Sequence, residues 1–224
     1  MKLQFIDRVA IAVLLGQLML GAYVYAFGEL GPLPMHFGLD GQVDGWGDRT
    51  KVATLMLAIT AGDALIYALL PALARGRTAS AEGSGVAYAR ATILAVGVAL
   101  TLLMTAIGVG LRAVGAPAEV ERLVMGFMAL IMVAVGALIG KVGPNPFVGV
   151  RTFWALRSRL AWDRSNRLLG RLWFWFGLAA LFATPLAPQP AGDIGVLVGM
   201  MVTTTAAIVE SWRVWRGDPD RATG

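Results

Sequence analysis

The sequence predicts an all-α fold, a polytopic membrane bundle of six transmembrane helices with both termini cytoplasmic. Three observations predict it. Of 224 residues, 57% are hydrophobic and only 15% charged, far to the apolar side of a soluble domain. Six stretches approach the run of about 20 mostly apolar residues that a helix rising about 1.5 Å per residue needs to cross about 30 Å of hydrocarbon. The cations fall on alternate connections between those stretches, the asymmetry that marks cytoplasmic loops.

The first span is expected over residues 9–27. Lys2 and Arg8 precede it as in a signal peptide, but the run is long and lacks an Ala-x-Ala exit, so it reads as a retained helix. The second is expected over 52–73, the third over 91–111 and the fourth over 123–139. Pro144-Asn145-Pro146 then stops the chain from continuing as helix, because proline lacks an N–H and biases its predecessor toward extended backbone. The fifth and sixth spans are expected over 172–186 and 194–209, joined by a stiff turn at Pro188-Gln189-Pro190. Residues 76–85 read as an exposed loop, and the polar tail 217–224 as disordered. Residues 1–74 hold two spans and 75–224 four, and no soluble domain is left over, so one integrated membrane domain is expected.

Orientation follows from charge. The amino terminus, the connections after the second and fourth spans and the tail carry fifteen of the 19 Lys and Arg, leaving Arg49, Lys51, Arg112 and Arg122 for the opposite side. That opposite side also holds Glu29, Asp40, Asp44, Asp48, Glu119, Glu121 and Asp193 and is net acidic. Trp154, Trp162, Trp173, Trp175, Trp212 and Trp215 all fall at the basic boundary, where an indole favours the headgroup level. The net charge of +5 is thereby read as lipid anchoring rather than nucleic-acid binding.

Composition excludes much chemistry. With no Cys there is no disulfide, thiolate zinc site, Cys nucleophile or iron–sulfur ligation, and the single His36 cannot form a cluster within one chain. No cofactor or metal is expected, and with no paired acids or serine–base constellation an enzyme ranks last.

Two connections are longer than helical hairpins need, so function is expected there. The outer one, 28–51, has Pro32, Pro34 and repeated Gly that dictate an irregular, turn-rich path. Asp40, Gln42, Asp44, Gly45 and Asp48 imitate a calcium loop, but Lys51 stands where the bidentate Glu belongs, so Asx turns and a helix cap from Asp48 or Thr50 are expected instead. His36 reads either as a half-buried ring bonded to a loop carbonyl or as a contact element of the outer face. In the inner connection, 140–171, a turn through Gly149 is expected. A basic aromatic segment follows, with Ser158 capping a helix that runs along the membrane interface before entering the fifth span. Arg151 stands out there as a cation for headgroup phosphates or a cytoplasmic partner. Asp63 lies mid-span, where an acid is costly unless paired; Thr101 and Thr105 are candidate partners, and transport is the functional alternative. Gly136-x-x-x-Gly140 and Gly195-x-x-x-Gly199 read as close helix packing within the bundle rather than a dimer interface.

Both long connections resemble the SdpI family of bacterial membrane immunity proteins. The outer stretch carries its Pro-x-His-(Phe/Trp)…Gly…Asp-Gly…Lys pattern through Pro34, His36, Phe37, Gly41, Asp44, Gly45, Gly47 and Lys51. The inner stretch carries its Asn-x-Phe-x-Gly-x-Arg-Thr-x-Trp pattern through Asn145, Phe147, Gly149, Arg151, Thr152 and Trp154, continued by Leu156, Ser158, Trp162 and Arg167. Phe153, Ala155, Arg159, Leu160 and Asn166 depart from the residues the family often shows. The resemblance implies a non-enzymatic protein of the bacterial cytoplasmic membrane that protects its host from a secreted killing peptide. It also implies, as in the founding case, a cytoplasmic ArsR-like repressor as partner. On that reading His36, Asp40, Asp44, Trp46 and Lys51 face the toxin. Asn145, Phe147, Gly149, Arg151, Thr152, Trp154, Trp162 and Arg167 face the inner partner. Membrane lipid is the remaining partner, with no direct nucleic acid, and a small transporter or exporter using Asp63 is the alternative.

Overall fold

The structure is a computed structural model and describes residues 5–38, 42–74, 84–109, 117–145 and 147–221. In chain order the elements are α1 (Phe5–Phe27), β1 (Leu33–Phe37), β2 (Val43–Gly47), α2 (Arg49–Ala74), α3 (Ser84–Gly108), α4 (Pro117–Ile139), α5 (Phe153–Arg157), α6 (Arg159–Ala183) and α7 (Ala191–Gly217). All but α5 of these helices run 23 to 27 residues, long enough to span hydrocarbon.

Five of them, α1, α2, α3, α4 and α7, are also apolar enough to cross a membrane. Helix α6 differs because its first half carries Arg159, Asp163, Arg164, Arg167 and Arg171, and its uncharged run begins only at Leu172. The helix expected to start at a Ser158 cap and lead into the fifth span is α6: Ser158 is its N-cap and it continues unbroken from Arg159 to Ala183, preceded by the five residues of α5. The surface of the bundle is apolar, with Leu15, Met19, Leu57, Leu65, Phe182, Met201 and Val202 exposed, while Gln17, Asp63 and Thr101 are buried. Such an inside-out distribution suits lipid and not water.

Helices α1, α2 and α3 pack on one another, α4, α6 and α7 form a second group, and the α3–α4 contact joins the two. At the hairpin end each group has its own core. Val24, Leu33, Val52, Met56 and Ile107 fill the first, and Met125, Ala129, Met132, Ala180 and Val196 the second. At the opposite end a shared core around Trp162 takes Leu70 and Ala89 from the first group and Val135, Ile139, Leu169 and Ala207 from the second.

Glycine sets the α4–α6 spacing. A Cβ on Gly136 would sit 2.9 Å from the Gly170 carbonyl, and one on Gly177 would sit 2.7 Å from Met132 Cβ, so the two backbones approach as the small-residue spacing predicts. The second glycine pair does something else, since Gly195 faces open space and Gly199 receives the Phe176 ring.

The outer connection, expected to be irregular, contains a short two-stranded sheet among its described residues. Residues 33–37 and 43–47 form an antiparallel β-hairpin, with Leu33 opposite Gly47, Pro34 opposite Trp46 and Phe37 opposite Val43. A register shift around His36 gives the two short strands their bulge, an accommodation expected where Pro interrupts the ladder. Leu33, 2% exposed, plugs the hairpin into the first core. Glu29 N–H donates to the Gly108 carbonyl at 2.9 Å, and Arg49 donates to the Ala26 and Gly28 carbonyls, fixing the hairpin over α1, α2 and α3.

Candidate functional site

On the hairpin, Asp44 and Trp46 alternate outward while Gly45 and Gly47 turn inward. The inward positions need glycine, because a Cβ at Gly45 would lie 2.8 Å from His36 Cβ and one at Gly47 would lie 2.9 Å from Met35 Cγ. His36 is not half-buried. Its exposed ring hydrogen-bonds the Asp44 carboxylate across the hairpin through Nδ1. Lys51 Nζ donates to the Trp46 carbonyl at 3.4 Å, and Asp48 accepts from Lys51 N–H at 2.7 Å, so Asp48 is the helix cap of α2. The hairpin thus gathers His36, Asp44 and Trp46 on one element, with Lys51 in the first turn of α2 reaching back to it; Asp40 lies outside the described residues.

The opposite connection is built around two asparagines. Asn145 is 1% exposed, and all of its amide is used. Nδ2 donates to the Gly143 and Val148 carbonyls at 2.9 and 2.8 Å, and Oδ1 accepts from Phe147 and Val148 N–H at 2.8 and 2.7 Å. Gly149 then turns with φ +124°, a region that disfavours side chains, and a Cβ there would meet Asn166 Oδ1 at 2.8 Å and the Trp162 ring at 2.9 Å. The close approach lets Asn166 Oδ1 accept from Val150 N–H at 2.8 Å while its Nδ2 donates to the Trp162 carbonyl. Trp162, fully buried, donates Nε1–H to the Val142 carbonyl at 2.8 Å, which places it inside the shared core rather than in the indole belt expected from sequence.

Thr152 caps α5 through Ala155 N–H and also meets Ser211 Oγ of α7 at 2.7 Å. Ser158 caps α6 through Ala161 N–H and donates to Asp218. The start of the tail is therefore ordered, contrary to the expectation from its polarity, with Asp218 5% exposed and Arg221 turned back onto the Arg216 carbonyl.

Of the residues assigned to an inner partner, Asn145 and Trp162 are buried and present no surface, while Gly149 and Thr152, half-buried, shape the backbone. Trp154 is half-buried. Arg151, Phe147 and Arg167 are exposed, as are Phe153, Leu156 and Leu160, and Arg151 makes no hydrogen bond or ion pair among the described residues. Sequence reasoning missed the structural weight of Asn166, Ser211 and Asp218. The signal for Asn166 was its departure from the family pattern within a basic helix face.

Asp63 is also resolved differently from expectation. Its carboxylate accepts from Gln17 Nε2 at 2.9 Å, and the same amide nitrogen lies 3.2 Å from Thr101 Oγ1, linking α1, α2 and α3. Thr105 instead bonds its own helix through the Thr101 carbonyl. Gly97 admits the carboxylate to the α3 backbone, where any Cβ would collide with it. Gln17 also borders an apolar cleft of about 380 Å³ between α1 and α2, lined by Gly21, Tyr25, Thr54 and Leu57. Among the described residues no group of three or more His, Cys, Asp or Glu is placed to hold a metal.

The locked connection, α6 and most of α7 fall in one segment when the chain is compared with known families. Residues 141–211 match the SdpI/YfhL protein family. The match is the family expected from the sequence, and it takes in Asn145, Gly149, Thr152, Trp162 and Asn166, the residues that fold the connection, together with the exposed Arg151, while the hairpin lies outside it. With its apolar helices, the chain is a multi-pass membrane protein similar to the SdpI/YfhL proteins. Comparison with curated proteins and with solved structures gave no match.

Proposed function

We propose that the chain is a non-enzymatic immunity protein of the bacterial cytoplasmic membrane that protects the producing cell from a secreted killing peptide. The observation that carries this reading is the SdpI/YfhL match over 141–211, a segment whose signature residues here form a fully bonded connection. The reading uses six spans, with α6 as the fifth through its uncharged half, and both termini inside, so that the cation-rich ends face the cytoplasm. The hairpin then meets the toxin from outside. Its exposed Asp44 and Trp46 offer a carboxylate and an indole to a cationic, amphipathic peptide. Arg151 and Phe147 face a cytoplasmic partner, a repressor of ArsR type in the family's founding case.

The test is survival of a toxin-sensitive strain expressing the chain and challenged with peptide fractions secreted by the source organism. Wild type should protect, and His36→Ala and Arg151→Ala, with insertion verified, should protect less. Equal protection by both variants removes the residue assignment, and failure of wild type against every fraction removes the immunity reading.

A small exporter is the second reading, favoured by the buried Asp63 bonding to Gln17, which borders the apolar α1–α2 cleft. Asp63→Asn should then abolish flux or protection with insertion intact.

A further inference from the structure

The largest cleft among those described, about 1060 Å³, opens where the last turn of α4, the first half of α6 and the last turns of α7 meet. Lys141, Arg159, Arg164, Arg167, Arg171 and Arg213 line it. The acids on its wall are Asp163 and Glu210, and both are occupied. Arg159 Nε donates to Asp163 at 3.2 Å, and Arg213 donates to Glu210 through Nε and Nη2 at 2.8 and 3.0 Å. Lys141 rests 5.3 Å from the Tyr88 ring centroid, a contact that leaves its charge in place. Arg164, Arg167 and Arg171 are exposed and make no ion pair or hydrogen bond among the described residues. Their spacing of three and four residues puts all three guanidinium groups on one face of α6. Glu210 attracts Arg164 as well as Arg213, but six cations share the cleft with two acids, so the cations still repel one another and an anion entering the cleft relieves that repulsion.

The setting selects the kind of anion. The cleft lies at the end of the α4 apolar run, beside Ile139, and at the point where α6 passes from its basic half to its uncharged half at Leu172. Ala137, which is exposed, and Leu168 are part of its wall beside Gly136 and Gly140, so the site is basic and apolar together. A soluble acidic peptide would match only the charge. A basic pocket between membrane helices at the headgroup level matches a lipid that carries phosphate above acyl chains, and the planar fork of Arg suits phosphate oxygens.

We propose that this cleft is a binding site for the phosphodiester headgroup of an anionic phospholipid, held by Lys141, Arg164, Arg167 and Arg171. The site stands independently of the immunity reading. Full-length protein in zwitterionic detergent is given equimolar phosphatidylglycerol and phosphatidylcholine, and the lipids retained are read by native mass spectrometry. Wild type should retain phosphatidylglycerol preferentially. The triple variant Arg164→Gln, Arg167→Gln, Arg171→Gln should lose affinity roughly a hundredfold, from about fivefold per cation. Ala137→Trp, which fills the exposed wall without changing charge, should lose retention as well, while Arg216→Gln, outside the cleft, should retain it. Equal retention by wild type and the triple variant, or unaltered retention by Ala137→Trp, overturns the proposal. Displacement of the lipid by glycerol phosphate at equal concentration assigns the cleft to soluble phosphate, and displacement by an oligoglutamate peptide assigns it to a protein partner; either result overturns it too.

Discussion

Removing the Asn145 amide tests whether the connection is locked from within. In Asn145→Ala four hydrogen bonds disappear, two given by Nδ2 and two received by Oδ1, at a position 1% exposed. Each such bond contributes a net of about 1 kcal/mol, for about 4 kcal/mol in all. Phe147, Val148 and Gly143 are not fully buried, so water recovers part of this, and the expected loss is about 2–3 kcal/mol. The assay is unfolding by sodium dodecyl sulfate in mixed micelles, followed by tryptophan fluorescence. Phe147→Ala, a change to a partly exposed ring in the same turn, is the comparison and should cost under about 1 kcal/mol. A loss in Asn145→Ala below about 1 kcal/mol, or no larger than that of Phe147→Ala, would mean that the connection is held by α4 and α6 packing and not by the asparagine.

Gly149→Ala forces a side chain into φ +124° and against Asn166 and Trp162, so it should cost at least about 2 kcal/mol in the same unfolding assay. Gln17→Leu removes the donor to the buried Asp63 carboxyl and should destabilise by about 1–2 kcal/mol; adding Asp63→Leu should recover part of that loss, because the orphaned acid goes with it. His36→Ala breaks a solvent-exposed pair and should shift stability by less than about 0.5 kcal/mol while lowering protection in the survival assay. A large stability loss would make His36 a folding residue and not a contact.

The spans were legible because hydrocarbon thickness imposes a length and a composition that few other constraints imitate. The fifth span was placed over residues 172–186 because charge stops at Arg171, and the helix that enters it starts at the Ser158 cap, since hydrogen bonding along a helix is indifferent to charge. The hairpin was not visible because its strands are five residues long and contain Pro34 and two inward glycines, leaving little alternation to read. The family pattern located Asn145, Gly149, Thr152 and Trp162 correctly but could not say which way they point. Asn145 and Trp162 spend their polar atoms on backbone groups nearby in space, and such partners leave no trace in composition. Asp63 was recognised as needing a partner, whereas Gln17, in the mostly apolar first span, was overlooked because one amide hardly alters a span's hydropathy.

The bond from Ser158 to Asp218 makes the end of α7 part of the chain's own scaffold. Polarity alone would suggest Gly217 as the place to truncate or to join a reporter for mapping topology. A junction there discards the Asp218 carboxylate, releases one partner of Ser158, and leaves the Thr152–Ser211 bond and the Phe153–Trp215 ring contact to hold α7 to the connection. A reporter joined at Gly217 would describe an altered molecule, whereas one joined beyond Arg221 keeps the stitch intact.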